Sequence, residues 1–182
     1  MKTFLRTTLA VALLAAGAVN LHAAEPAPGF IDFGKFTPAA GSEFIEVHVT
    51  SNLISMVSRL ARDKEPEVAD LLKGLKLVRV NVIGLNDENR ADMEKRVKAI
   101  RAQLDTAGWE HLVTAQKQGE DVAVYIKTRG SEAVEGIVVS VIQANHEAVL
   151  VNVVGDIQPE KLSVVGERFN IEPLKKLHLA HK

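Results

Sequence analysis

The sequence predicts an α+β fold: a mixed, largely antiparallel sheet of five to six strands, with helices packed mainly on one face. Segments in which apolar and polar residues alternate predict strands, and segments with helical apolar spacing lie between them. The densest β-branched run, from Asp121 to Ile157, is interrupted only by short turn sequences, as in consecutive antiparallel strands. Strands that alternate with helices and end in a meander are typical of α+β domains.

The N-terminal half begins with a strand and two helices. In EFIEVHVT the residues Ile45, Val47 and Val49 share one side, which predicts a half-buried strand. The next segment, LISMVSRLARD, has apolar residues on one helical face. Pro66 and Gly74 are placed to begin and end a second, short helix.

A second strand and the longest helix follow. LKLVRVNVIG alternates as a strand does, and a helix is predicted from about Glu88 to Ala107. Its apolar stripe consists of Met93, Val97, Ile100 and Leu104. The opposite side carries i,i+4 pairs of opposite charge, so we expect a surface helix that covers a sheet.

The C-terminal half is predicted to be a meander followed by a helix. A strand from Trp109 to Ala115 leads into the strands of the Asp121 to Ile157 stretch. In that stretch IVVSVI is almost wholly apolar, which favours a central strand covered on both faces. A helix through EKLSVVGERF and a turn that begins at Pro173 are expected after it.

The N-terminus has the pattern of a secretory signal peptide. Lys2 and Arg6 precede a short apolar run and then small residues, and the run is too short for a membrane span of about 20 residues. We expect cleavage after Ala23, with Ala24 as the next candidate. The predicted organisation is therefore a removed signal peptide (1–23), an extended lead-in (24–41) and a single domain (42–182).

The lead-in contains three phenylalanines, Phe30, Phe33 and Phe36, among prolines and glycines. Two interpretations are open. The rings dock on the protein's own surface, as loop aromatics commonly do, or they wait for a partner.

Composition excludes several classes of function. Removal of Lys2 and Arg6 leaves 20 basic and 23 acidic side chains, a formal charge of −3, which argues against nucleic acid and anionic membranes. The chain has no cysteine, hence no disulfide, thiolate metal site or lipidation cysteine. We expect a protein without a cofactor that is secreted or periplasmic, with no membrane insertion after signal removal.

One family resemblance is carried by Trp109 and by three segments, VAVYIK, EGIVVSVI and EAVLVNVVGDIQPEKL. These resemble the bacterial domain-of-unknown-function family 4252, over about Phe44 to Phe169, with VNVVGDI as the most specific part. The resemblance implies an exported bacterial protein with no established activity, and it implies no catalytic residues. The absence of cysteine puts the lipid tether of some members in doubt for this chain.

Candidate chemistry is sparse. His146 and Glu147 do not begin an HExxH motif, because the second histidine would stand at Leu150. His48, His111 and His146 with Asp121 have the ligand types for a metal or acid–base site if the fold brings them together. The competing interpretation, independent positions on wet faces and turns, is the better supported one. Nucleotide-binding and nucleophile-elbow motifs are absent from the sequence.

The meander supplies a candidate interface. If one sheet face is covered by helices, the other exposes apolar side chains unless the phenylalanine segment or a C-terminal segment with Leu174, Leu177 and Leu179 covers it. The candidate residues are Tyr125, Val138, Ile142, Leu150 and Val154. The leading hypothesis is a non-enzymatic envelope module that binds a protein or envelope component, or a second copy, through a sheet face or an edge strand. The alternatives are a small metal-dependent or acid–base hydrolase using His48, His111 or His146, and a small-molecule carrier.

Overall fold

The computed structural model describes residues 27–38, 41–117, 119–143, 146–158 and 161. These residues form three helices and six strands. In chain order they are β1 (Phe44–Thr50), α1 (Ser51–Ala61), α2 (Pro66–Gly74), β2 (Leu75–Gly84), α3 (Arg90–Thr106), β3 (Glu110–Lys117), β4 (Glu120–Arg129), β5 (Ala133–Gln143) and β6 (Glu147–Ile157).

The strands form one sheet in the order β1-β2-β6-β5-β4-β3. The last four strands are a meander, because β3, β4, β5 and β6 pair consecutively and antiparallel. The predicted α+β class and the upper end of the predicted strand number are confirmed. The strand with the IVVSVI sequence, β5, lies with β6 at the centre of the sheet, as its apolar composition indicated.

Two details differ from the prediction. The sheet is wholly antiparallel and not mixed, because the helical connections join strands that run in opposite directions. The helices are divided between the two faces and do not lie mainly on one: α3 packs on one face, and α1 and α2 pack on the other. The physical reason is that the central strands carry apolar side chains on both faces, so both faces need cover.

The face under α3, called here the α3 face, holds the larger core. The four stripe residues predicted for this helix are all buried against it. Because α3 connects β2 to β3 at the far edge of the sheet, it crosses the neighbouring strands and contacts the centre of the sheet. Trp109, directly after the helix, is 7% exposed and belongs to the same core.

The N-terminal segment, residues 27–38, completes the cover of the α3 face. Asn152 at the centre of β6 is 0% exposed, and its side chain bonds this segment to the sheet. Its Oδ1 accepts a hydrogen bond from the backbone N–H of Ile31 (3.2 Å), and its Nδ2 donates to the carbonyls of Gly29 (3.0 Å) and Ile137 (3.2 Å). The one buried amide of Asn152 therefore satisfies backbone groups of the N-terminal segment and of β5.

The segment approaches β5 so closely that glycine is required on both sides. A Cβ on Gly29 would overlap the carbonyl of Glu135, and a Cβ on Gly136 would overlap Gly29 and Trp109. Phe33 is 2% exposed in the core, and Phe36 packs against it. Docking on the protein's own surface is thus the arrangement that the lead-in adopts.

Two arginines hold the outer part of the segment. Arg96 of α3 donates to the carbonyl of Phe33 through Nε (3.2 Å) and Nη2 (2.7 Å), and its guanidinium lies 4.0 Å from the ring centroid of Phe36. Arg79 of β2 lies 3.7 Å from Asp32 of the segment and 3.7 Å from Glu46 of β1. These contacts connect the segment to elements that are distant in sequence.

The opposite face, called here the α1–α2 face, holds a second core. Ile54 of α1 and Leu71 of α2 are buried over Val78, Val153 and Ile157. Ser58 of α1 donates to the carbonyl of Ala69 (2.8 Å) and joins the two helices. The helices cover the part of this face near the junction of β1 with α1.

Several predicted segments lie outside the described residues. They are the signal peptide (1–23), most of the C-terminal helix through EKLSVVGERF, and the turn from Pro173 with Leu174, Leu177 and Leu179. The division into signal peptide, lead-in and domain stays a prediction.

We expect Asn152→Ala to lower the free energy of unfolding by about 2–4 kcal/mol, because it leaves buried backbone groups of the segment and of β5 without partners. Urea unfolding followed by the fluorescence of Trp109, the single tryptophan, measures this change. Gln116→Ala on the exposed side of β3 is the control, with an expected change below about 0.5 kcal/mol. Equal effects of the two substitutions would contradict the role assigned to Asn152.

Candidate interaction surface at the β1 edge

The two edge strands of the sheet differ in their protection. The β3 edge has a register shift between His111 and Val113 and mostly polar exposed side chains, and it ends in Lys117. Bulges and charges of this kind block further strand pairing. The β1 edge pairs with β2 in unbroken register from Phe44 to Thr50 and contains neither lysine nor proline. Within the described part of the chain, β1 is therefore the less protected edge.

The backbone of β1 alternates between β2 and the free edge. Gly84 N–H donates to the carbonyl of Glu43 (2.8 Å), so Glu43 belongs to a hydrogen-bonded pair of the antiparallel ladder. Such pairs alternate along the strand, hence Ile45, Val47 and Val49 bond β2. The outward residues of β1, whose N–H and C=O groups point away from β2, are Phe44, Glu46, His48 and Thr50.

Two apolar side chains of β1 are exposed. Ile45 is 43% exposed and Val47 is 40% exposed, although their alternation predicted a half-buried strand. Both project from the α1–α2 face, because they pair in register with Val82 and Val80, and Val80 packs against the core of that face. The exposure follows from position: an edge strand has a neighbour on one side alone, and α1 covers the region nearer Val49.

Helix α1 carries an exposed apolar stripe. Its members are Leu53 (46% exposed), Met56 (48%), Val57 (47%) and Leu60 (74%). They recur at spacings of three, one and three residues, which places them together on one helical surface. An apolar helix surface of this kind normally packs against another element.

Two residues of this stripe, Met56 and Leu60, lie on the same side of the molecule as the β1 edge. Helix α1 contacts β1 and β2, whereas α2 contacts β6, so α2 lies on the inner side of α1. Ser58 faces α2, with which it is hydrogen-bonded. Met56 and Leu60 are two residues away from Ser58, roughly 200° around the helix, and therefore face away from α2.

These features define the β1 edge surface: the outward residues of β1, the exposed side chains of Ile45 and Val47, and Met56 and Leu60 of α1. It combines a row of backbone donors and acceptors, paired with no strand of the described chain, with apolar side chains beside it. This is the combination that accepts an added β-strand, since backbone hydrogen bonds give affinity and alternate side chains give selectivity. The apolar residues of this surface are visible in the sequence segments EFIEVHVT and LISMVSRL. Alternation alone, however, does not distinguish a covered strand from an edge strand.

The five residues predicted as a candidate interface lie elsewhere. Each of them is buried at 7% exposure or less. They are Tyr125, Val138, Ile142, Leu150 and Val154. Four of them belong to the core under α3 and the N-terminal segment, the cover that the sequence offered as the alternative to a partner. A partner would reach them only after that cover moved.

The three histidines considered as metal ligands are far apart in the sheet. His48 lies on β1 and His111 on β3, the opposite edges, so about five strand spacings, or roughly 24 Å, separate them. His146 lies in the turn before β6. Among the described residues no group of three or more histidine, aspartate or glutamate side chains is placed to hold a metal ion. The geometry does not assemble the predicted hydrolase site.

Asp121, the fourth residue of that hypothesis, has a structural partner. Arg101 of α3 donates from Nη1 to both carboxylate oxygens of Asp121 (3.0 Å each) and from Nε to Ser140 Oγ (3.0 Å). The two carboxylate oxygens share one guanidinium nitrogen, Nη1, in charge-assisted hydrogen bonds, and Nε fixes the guanidinium against Ser140. It connects the C-terminal half of α3 to β4 and β5.

Tyr125 and His111 stack in parallel planes with centroids 4.4 Å apart, and His111 Nε2 lies 2.7 Å from Thr114 Oγ1. Burial and, secondarily, the Asp105 carboxylate raise the pKa of Tyr125 above 10.0. The phenol therefore stays protonated at neutral pH, and its ring packs in the core. The stacked rings connect β3 to β4 on the α3 face.

A surface depression of about 530 Å³ lies between α2, the β4–β5 turn and the end of β6. Its charged side chains are largely paired with one another. Arg129 lies 3.0 Å from Asp156 and 3.6 Å from Glu135, and Lys161 pairs with Asp70, which lowers the pKa of that carboxyl. Mutual neutralisation makes it a weak site for a charged ligand.

Within the described ranges, none of the helices has the length and apolarity that crossing a bilayer requires. Fold and surface together define a class of protein: a single-sheet α+β domain whose β1 edge pairs with no further strand among the described residues. The model of a family described as a domain of unknown function (DUF4252) matches residues 39–165, and the chain belongs to that family. The resemblance stated from the sequence is thereby confirmed. No curated protein and no solved structure matches the chain.

We expect Tyr125, the single tyrosine of the chain, to titrate above 10.0 in the folded protein and near 10.0 after denaturation. Above pH 10 the unfolded chain releases this proton first, so stability falls as pH rises toward the folded pKa. Absorbance titration of tyrosinate measures both values. Asp105→Asn removes one cause of the shift and lowers the folded pKa, whereas a native pKa at or below 10.0 would contradict the assignment.

Proposed function

We propose that this protein is an exported, non-enzymatic binding module of the bacterial cell envelope, and that it binds an extended protein segment at the β1 edge surface. The observation that carries the proposal is the less protected edge: outward backbone groups of β1 stand beside exposed Ile45 and Val47. A strand that pairs there would bury both side chains and satisfy the backbone groups.

The chemistry of the surface defines the segment it fits. The α1–α2 side of β1 is apolar, and the opposite side carries Glu46 and His48. A complementary strand alternates apolar residues with polar or charged ones. Its apolar side chains then contact those on the α1–α2 side of β1, and its polar side chains contact Glu46 and His48. Met56 and Leu60 extend the apolar contact beyond the strand itself.

Export is supported by the N-terminal sequence alone. Lys2 and Arg6 before a short apolar run are typical of a signal peptide. A chain without cysteine is compatible with an oxidising compartment, because no thiol is available for unwanted pairing. The periplasm or the medium is therefore the compartment in which we place the module.

The binding surface is tested by photo-crosslinking in living cells. p-Benzoylphenylalanine replaces Val47 on β1 or, as the matched control, Gln116 on β3 in the full chain. We expect a protein adduct of defined mass from position 47 and none above background from position 116. Leu60→Lys should reduce the adduct, because it places a charge in the apolar contact, whereas Ser55→Lys, also exposed on α1, should not.

Equal adduct yields from both positions, or an adduct insensitive to Leu60→Lys, would refute binding at this surface. Export is measured separately by N-terminal sequencing of the purified protein. A chain that begins at Ala24 or Glu25 supports a cleaved signal, and an intact N-terminus in the cytoplasmic fraction contradicts it.

A further inference from the structure

We propose that the partner of the β1 edge surface is a second copy of this chain, bound by antiparallel pairing of β1 with β1 about a two-fold axis at Val47. This inference rests on the proposed function, because it names the occupant of the same surface. The argument comes from the register that the strand's own backbone and side chains allow.

The backbone selects the register. Two edge strands bond only where outward residues meet outward residues, and those of β1 are the four even-numbered ones. With Val47 on the axis, Phe44 opposes Thr50 of the second copy, and Glu46 opposes His48. All four outward residues are then paired, and each opposed pair exchanges two backbone hydrogen bonds. Any other antiparallel register leaves at least one of them unpaired.

The side chains agree with the same register. On one side of the new ladder the carboxylate of Glu46 meets the imidazole of His48, an acceptor beside a potential donor. On the other side Val47 meets Val47, and Ile45 meets Val49. Directly opposed apolar pairs and opposed acceptor–donor pairs stabilise antiparallel strands, whereas like charges in opposition destabilise them. This register opposes no like charges.

Helix α1 completes the contact. Val49 packs against the core that contains Ile54, so the Ile45 side chain of the second copy arrives beside α1. Met56 and Leu60 face that outer side and would cover it. The two-fold axis repeats the arrangement, so each copy buries the exposed isoleucine of the other. One assembly would thus bury Ile45 and Val47 of β1 together with Met56 and Leu60 of α1.

Oligomeric state in solution gives the first test. Light scattering after size-exclusion chromatography of the full chain purified from cells should give the mass of a dimer. Val47→Lys should raise the dissociation constant on the order of 10-fold, because it removes the apolar pair at the axis and opposes two lysines there. Gln116→Lys at the β3 edge should leave the dimer intact. Val47 is 40% exposed, so the variant should fold, which Trp109 fluorescence verifies.

The register is tested with engineered cysteines, since the chain has none of its own. Opposed residues at a non-hydrogen-bonded position lie close enough for a disulfide, with Cα atoms about 4.5 Å apart. Val47→Cys alone should form a covalent dimer under mild oxidation. Ile45→Cys alone should not form a covalent dimer. In this register Ile45 of one copy lies opposite Val49 of the other, so the two residues 45 are four positions apart along the strand, roughly 14 Å. Ile45→Cys mixed with Val49→Cys should crosslink.

A protein that is monomeric at all concentrations tested would overturn the dimer. In that case a photo-adduct of position 47 with a different protein would still support the proposed function, so the two failures are distinguishable. A dimer that persists in Val47→Lys, or that crosslinks through Ile45→Cys as fast as through Val47→Cys, would also overturn the proposal.

Discussion

The need to cover both faces of one sheet shapes this structure. The central strands β5 and β6 are apolar on each side, and exposing either face would leave a large apolar area in water. The α3 face is covered by a helix and by the N-terminal segment, which a single amide, Asn152, bonds to the middle of the sheet. On the α1–α2 face, α1 and α2 pack near β1, β2 and β6, and Val124 of β4 and Val139 of β5 are buried as well.

The two edges of the sheet differ in their regularity and in their exposed side chains. At β3 the register shift, the polar side chains and Lys117 leave little to attract another strand. At β1 the ladder is regular, the apolar residues are exposed, and the next helix adds more apolar surface on the same side. If both edges were merely solvent-exposed ends, similar protection would be expected at each. This difference is the feature on which the proposed strand pairing at β1 depends.

Much of the fold could be predicted because it follows from local pattern. The boundaries of β2, the stripe of α3 and the meander each depend on the spacing of neighbouring residues. The distribution of helices between the faces could not be predicted, because it depends on the order β1-β2-β6-β5-β4-β3, which brings β2 beside β6 across the sequence. The same strand order places His48 and His111 at opposite edges and buries Tyr125 and Leu150. The β1 edge surface was missed for this reason: alternation in EFIEVHVT is the same whether a strand has one neighbour or two.

The position of β1 also relates the stability of this strand to the proposed pairing at its free edge. It is the first strand of the sheet and is paired on one side, to β2, and α1 begins directly after it. A segment with few buried contacts opens locally at lower free energy than the core does. Pairing on the second side adds backbone hydrogen bonds and buries Ile45 and Val47, and a ligand that binds only the folded form stabilises that form. Occupation of the edge would therefore order β1 and α1 together, while the core under α3, fixed through Asn152, would keep its structure whether or not the edge is occupied.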